Sequence, residues 1–368
     1  MVKFGHLPQT EEPKDIRGKI KAYRAKNHRR TMFLVAIVVA IVVLAIYSCS
    51  ISTLRITFSQ AATMLYKAIC GIPMDAGMEK TRWTVMSELC VPRTIAAILI
   101  GASLAVGGAV MQSITRNSLT DSYTIGISSA AMFGVTIGIV YGVCVIPVFN
   151  GDMAAIVNAF MFALIPSAAI IFVSSFKKMS ATMMILIGIG IMYVFNAFST
   201  FVKFNASAES LTQIYEKSVG TLTDITWSAI APLIAGTVVI VVVSMVIANR
   251  INVMGSGDNM AKALGVQPVM TRVICFVAIS VSTGVCVAYT GTIGFVGLVA
   301  PHIARLFVGS DNRILIPSSA IIGALLILVA DVLVRKLPGG LPVGVVTAAI
   351  GAPIFIYVLY RQRKNAAF

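Results

Sequence analysis

Apolar residues fill this chain in blocks of roughly 15 to 25, separated by short polar or charged joints, a spacing that suits helices crossing a bilayer. The blocks predict spans at 31–50, 92–112, 124–145, 154–174, 182–202, 225–248, 269–289, 291–305, 314–334 and 342–360. The joints sort by charge. Residues 1–30 carry Lys3, Lys14, Arg17, Lys19, Lys21, Arg24, Lys26, Arg29 and Arg30, and a basic flank of a first span is normally cytoplasmic. Alternation then puts Arg116, Lys177, Lys178, Arg250, Arg313 and the end of the chain (Arg361, Arg363, Lys364) on that same side, where the rule wants them. Both termini are therefore expected inside. Residues 51–89, 205–224 and 337–341 are expected outside, with the half-apolar piece 58–69 lying on the outer surface.

Three glycines, Gly291, Gly294 and Gly297, and then Pro301 interrupt the eighth block, GTIGFVGLVAPHIAR, which places His302 and Arg305 three residues apart on one helical face. Within lipid, so broken a backbone is tolerated only where it is buried in protein or lines a watery path. The local chemistry fits a Gly-rich packing helix equally well. In the second block, Gly101 with Ala105 and Ser103 with Gly107 set small residues one turn apart, which favours close helix approach. Between the sixth and seventh blocks, GSGDNMAKALGVQP holds a short helix with Met260, Ala261 and Leu264 on one face and Asp258 and Lys262 on the other. Such a helix suits a partner's grip or a bed of lipid headgroups.

Composition agrees with the spans. The chain has 368 residues, of which 58% are hydrophobic and 12% charged, and a mean hydropathy of +0.91, far from a soluble domain. Its net charge of +15 is spread over tail and joints instead of a basic domain with interleaved aromatics, so nucleic acid is not the expected partner. The tail suits anionic lipid, at about 1 kcal/mol per Lys or Arg near the surface. Block 31–50 is long for a signal-peptide core and lacks a small-residue cleavage site, so it is expected to remain as the first span.

The chemistry of an enzyme is missing. His6 and His28 lie in the tail, leaving His302 without an imidazole partner, and the six cysteines have no metal-ligand spacing, so no metal is expected. Pairing of Cys70 with Cys90, both on the outer side, stays open. No HExxH, GxSxG, TVGYG or GxxxxGK[ST] occurs. An ion-coupled carrier is the rival class. It would want carboxylates in its spans, at about 2.5–3.5 kcal/mol each, and only Asp331, one turn before Arg335, offers one.

FVGLVAPHIAR, GSDNRILIPSSAIIGALLILVADVLVR and LPVGVVTAAIGAPIF, with VPRTIAAILIGASLAVGGAVMQ, RNSL and AKALGV upstream, resemble the permease subunits of the FecCD/BtuC family, from Val91 to the end. The family comprises the membrane halves of bacterial importers for ferric siderophores, haem and cobalamin. The resemblance implies an all-α permease of about ten helices, paired with a second permease (identical or paralogous), two ATPase subunits and a substrate-binding protein. It also implies no cofactor on this chain, ATP and Mg being used by the separate ATPase, and a bacterial inner-membrane location. Residues 255–268, with Asp258, Ala261, Leu264 and Gly265, match the family's ATPase-coupling segment. Asn117, Leu119, Ala181 and Thr182 match its cytoplasmic gates, and Arg93 and Arg335 match cations that dock the binding protein. Gly294, Gly297, Pro301, His302 and Arg305 form its pathway motif.

The chain departs from the family in places. Ser118 stands where a proline is usual, which implies a less rigid gate turn. Cys90 replaces a second docking arginine. A ferric siderophore is the preferred cargo, with haem and cobalamin as alternatives.

Overall fold

The computed structural model describes residues 13–52, 54–149, 152–176, 181–337 and 340–366. Lys177, Lys178 and Ser180 fall outside them, as does the first part of the basic tail. Fifteen α-helices and no strand are found among these residues. Seven helices are long and apolar enough to cross a membrane, and three shorter apolar ones (Ile127–Tyr141, Val296–Val308 and Val343–Tyr357) make up the ten expected spans.

Helix α1 (Pro13–Ser50) runs unbroken from the basic tail into the first span, so residue 30 marks a change of composition and not of structure. Next come α2 (Phe58–Ile69) and α3 (Met78–Val85). A π-helical stretch, Met86–Cys90, then joins α3 directly to α4 (Val91–Thr115), the second span. Helix α2 docks by one side on the end of the bundle and leaves Phe58, Tyr66 and Ile69 exposed. Thr57 and Gln60 form a capping box at its start, and its apolar side buries Ala61 and Met64 against Cys49, Ile56, Met86 and Cys90. The six cysteines are free thiols, which closes the question of a Cys70–Cys90 bridge: Cys70 is exposed and Cys90 buried.

Helices α5 (Ile127–Tyr141), α6 (Asp152–Phe176) and α7 (Ala181–Phe204) follow, then α8 (Ala208–Val219) and α9 (Trp227–Val246). Two short helices, α10 (Ala248–Met254) and α11 (Asp258–Ala263), precede α12 (Pro268–Thr290), α13 (Val296–Val308), α14 (Asn312–Lys336) and α15 (Val343–Ala366).

Helix α4 is the axis of the bundle, packed by α9, α12, α13 and α14. Small residues make this possible. A Cβ added at Gly101 or at Gly323 would run into the other residue's carbonyl group, and one at Gly108 into Gly297, so α4 meets α13 and α14 backbone to backbone. The expected Gly101 and Ala105 pair does pack on Gly323, whereas Gly107 faces only the side chain of Ile279. Buried hydroxyls link spans sideways, Ser103 to Thr237 at 2.9 Å and Ser167 to Ser280 at 2.6 Å. One end of the bundle gathers Arg116, α10, α11 and the α13–α14 turn; the other gathers the end of α1, α2, α3 and the end of α14. This is the same sorting of joints that charge predicted.

Candidate coupling and translocation site

At the α10–α11 end, Gly257 and Gly265 flank α11 with φ of 103° and 79°, a region that favours glycine, so the helix is held between two sharp bends. The expected apolar face divides in two. Ala261 is buried, while Met260 and Leu264 project outward, 54% and 62% exposed. Asp258 turns inward, contrary to the expected polar outer face. Its two carboxylate oxygens accept from Nη1 and Nη2 of Arg272 at 2.9 and 2.8 Å, and Nη2 of Arg116 lies 3.6 Å away. The Arg272 guanidinium holds the Asp258 carboxyl below the usual carboxylate value of 3.8, against an opposing push from partial burial.

Arg116 caps α4 in the left-handed conformation, φ 51°, and the turn expected to act as a gate starts with the next residue. Asn117 Oδ1 accepts from the Leu119 backbone N–H at 2.9 Å, and the Thr120 hydroxyl donates to the Asn117 carbonyl at 2.8 Å. The turn expected to be loose for want of a proline is braced by this side-chain bonding instead. Leu119 points out of it, exposed. Of the other two residues expected at a gate, Ala181 opens α7 and Thr182 is exposed.

The broken eighth span resolves into an unwound stretch, Gly291 to Phe295, followed by the 13-residue helix α13. Its backbone is satisfied by protein. Thr292 N donates to Lys217 O at 3.0 Å, Thr221 N to Thr290 O at 2.9 Å, and the Thr292 hydroxyl to Ser218 O. The end of α8, read from sequence as a polar outer segment, is thus docked into the bundle. Phe295 takes a left-handed φ of 67° to start α13, a conformation costing roughly 1–3 kcal/mol for a residue other than glycine. His302 and Arg305 do not converge. The His302 Nδ1–H donates to Leu298 O at 2.7 Å and its ring meets Phe355 edge-on. Arg305 donates instead to Gln112 Oε1, whose amide nitrogen is held by the Gly297 carbonyl at 3.2 Å. Pro301 is buried within α13, and Gly294 has open space around it.

At the opposite end, Arg93 and Arg335 are not free surface cations. Both close on the fully buried Asp331: Arg93 Nε at 2.8 Å from one oxygen and Arg335 Nη2 at 2.7 Å from the other. Their side chains are only 15% and 9% exposed. Arg335 also donates to Ser48 O at 3.0 Å, so the cluster ties the ends of α1, α4 and α14 together. Both cations are held on a carboxylate instead of standing free, yet two guanidiniums on one carboxylate leave a net positive charge at this end.

A model of the FecCD transport family matches residues 28–361. The chain belongs to the FecCD transport family. A Methanocaldococcus jannaschii protein named for an ABC transporter permease is 33% identical over 359 residues, 95% of this chain and 99% of its own length. The iron(3+)-hydroxamate import permease FhuB of Bacillus subtilis is 32% identical over 78% of this chain and 74% of its own. The cobalamin import permease BtuC of Halobacterium salinarum is 33% identical over 83% and 80%. Among solved structures, a transporter assigned to the metal-chelate ABC type, in an inward-facing conformation, superposes with TM-score 0.78 and 26% identity over 90% of this chain and 99% of that one. The FecCD chain is accordingly a multi-span membrane permease with a BtuC-like fold.

Sequence reasoning missed three participants in this FecCD permease. Arg272 falls within a plain apolar block, yet it anchors α11 through Asp258. Gln112, which ties α4 to Gly297 and Arg305 of α13, carries no distinguishing pattern. Asp121 is buried beside Gly297 and accepts from the backbone N–H groups of Tyr123 and Thr124 at 3.1 and 3.0 Å; the Asp-x-x-Thr turn spacing was its one available signal.

Proposed function

We propose that this chain is the membrane half of an ATP-driven importer, passing a ferric siderophore delivered by an extracytoplasmic binding protein. The observation that carries the coupling part is α11, a short helix anchored inward through Asp258 while Met260 and Leu264 stand exposed at the end assigned to the cytoplasm. A separate ATPase, using ATP and Mg, would seat these two side chains. A second permease chain would cover α7, whose exposed face mixes Leu186, Tyr193, Phe198 and Phe201 with Asn196 and Thr200. Across that seam the 117–119 turn and Thr182 would meet their symmetry mates as gates. Both termini would be cytoplasmic, in the inner membrane of a bacterial cell.

A ferric chelate is supported by the hydroxamate relative, by two Helicobacter pylori relatives named for iron chelatin transport, each 34% identical, and by the metal-chelate type of the structural neighbour. Nothing favours the ion-coupled carrier, since Asp331 is locked between two arginines. Uptake of radio-iron hydroxamate by cells with and without the gene tests the cargo. Loss of that uptake alone is expected; loss of labelled cobalamin or haem uptake instead would keep the permease and overturn the siderophore.

A further inference from the structure

Helix α11 has only six residues and is bounded by glycines on both sides, so a force applied to it is poorly passed on through its own backbone. Side chains must carry that force. Ala261 is packed beneath the helix and offers no directional bond. Asp258 does, and its partners belong to two different elements.

Arg272 lies in the first turns of α12, is 2% exposed, and holds Asp258 by two parallel hydrogen bonds. Its Nε also points to the carbonyl of Ile114 in the last turn of α4, at 3.4 Å. A guanidinium this buried cannot lose its carboxylate cheaply, so α11, the start of α12 and the end of α4 are bound to move together. Arg116 is the looser partner, 43% exposed and 3.6 Å away, beyond ordinary hydrogen-bond length. It immediately precedes Asn117 and is itself in the left-handed conformation, so a change in its hold on Asp258 bears directly on the turn that presents Leu119.

We infer that Asp258 is a positioning residue that transmits displacement of α11 to the 117–119 turn: the Arg272 pair is the fixed joint and the Arg116 contact the adjustable one. The inference rests on the proposed coupling of α11 to an ATPase, and goes further by naming the link between coupling helix and gate. It predicts a chain that still binds its ATPase and hydrolyses ATP, yet moves its gate little, when that single carboxylate is neutralised.

The test uses the complex purified with its ATPase. Leu119→Cys is introduced with Cys70→Ser, the remaining cysteines being buried, and maleimide labelling of the new thiol is timed with and without Mg-ATP. Adding Asp258→Asn should leave the bound ATPase and its hydrolysis in place while cutting the ATP-dependent change in labelling rate about five-fold or more. Arg116→Gln, a change at a half-exposed side chain that the fold tolerates, should give the same defect, and the two together no more than either alone. An undiminished ATP response in Asp258→Asn overturns the inference. So does loss of the ATPase from that variant, which would make Asp258 a docking residue, and so do defects that simply add. If the parent Leu119→Cys complex carries no ATPase or shows no ATP response, it is the underlying coupling reading that fails.

Discussion

Replacing Asp331 by Asn should loosen one end of the bundle without touching any transport chemistry. The carboxylate is fully buried and faces two guanidiniums, at 2.8 and 2.7 Å, that are themselves nearly enclosed. Removing one partner of a buried ion pair costs about 3–5 kcal/mol, because the survivors stay desolvated and unpaired. Arg93 keeps some access to water, so the lower figure applies. About 3 kcal/mol corresponds to roughly a hundred-fold increase in local opening of the α1, α4 and α14 ends. Two natural reporters sit there: Cys49 is 3.8 Å from the Thr94 hydroxyl, and Cys90 is 3.7 Å from the Ile51 carbonyl, both buried. Their thiol-labelling rate in the folded protein should rise by about two orders of magnitude in Asp331→Asn, while that of Cys275 and Cys286, buried in the α12 packing, stays as it was. Unchanged labelling of Cys49 and Cys90 would refute the clamp. Lost uptake with unchanged labelling would make Asp331 a proton or ion relay and revive the carrier.

Leu264→Asp should release the ATPase on purification with little change in thermal stability, since the side chain is exposed; co-retention of the ATPase would show that α11 is gripped elsewhere. Gly291→Ala should abolish folded protein, because its Cβ would enter the Lys217 carbonyl at a φ of 70°, whereas Gly294→Ala, with open space around it, should be within about 1 kcal/mol of the parent by detergent thermal melts. The Asp258 pairs should not respond to mild acid. A carboxyl held below 3.8 stays charged above that pH and loses its pairing only as pH falls through its lowered value, so the ratio of Leu119→Cys labelling rates with and without Mg-ATP should be flat from about pH 5 to 8; a fall near pH 6 would point to another titrating group.

Much of this architecture could be read from the sequence. Block length gave the spans because a bilayer fixes how long an apolar helix must be, and the joints at Arg116, Arg250 and Arg313, grouped by charge, do share one end of the bundle. The break at 291–295 was legible through its glycines, and Gly291 does take a positive φ, but the second positive φ falls on Phe295, which no pattern marks. What failed was long-range pairing. Arg93 and Asp331 are 238 positions apart, and nothing local to Arg93 reveals that it pairs with a carboxylate on another helix. For the same reason α8 looked like an outer polar segment: its last carbonyls satisfy the unwound stretch of a span some 70 residues on, a debt visible only in three dimensions. Asp258 and Arg272 are closer in sequence, but α11 and α12 meet through a bend at Gly265 that periodicity cannot orient.

The central claim is an import path opened by ATP hydrolysed on another chain. Its most direct test is uptake of radio-iron hydroxamate into vesicles holding the permease and its ATPase, supplied with the binding protein outside and Mg-ATP within, with proton and sodium gradients collapsed. The account predicts uptake that needs ATP and survives collapse of both gradients. Uptake driven by an ion gradient in the absence of ATP would contradict it.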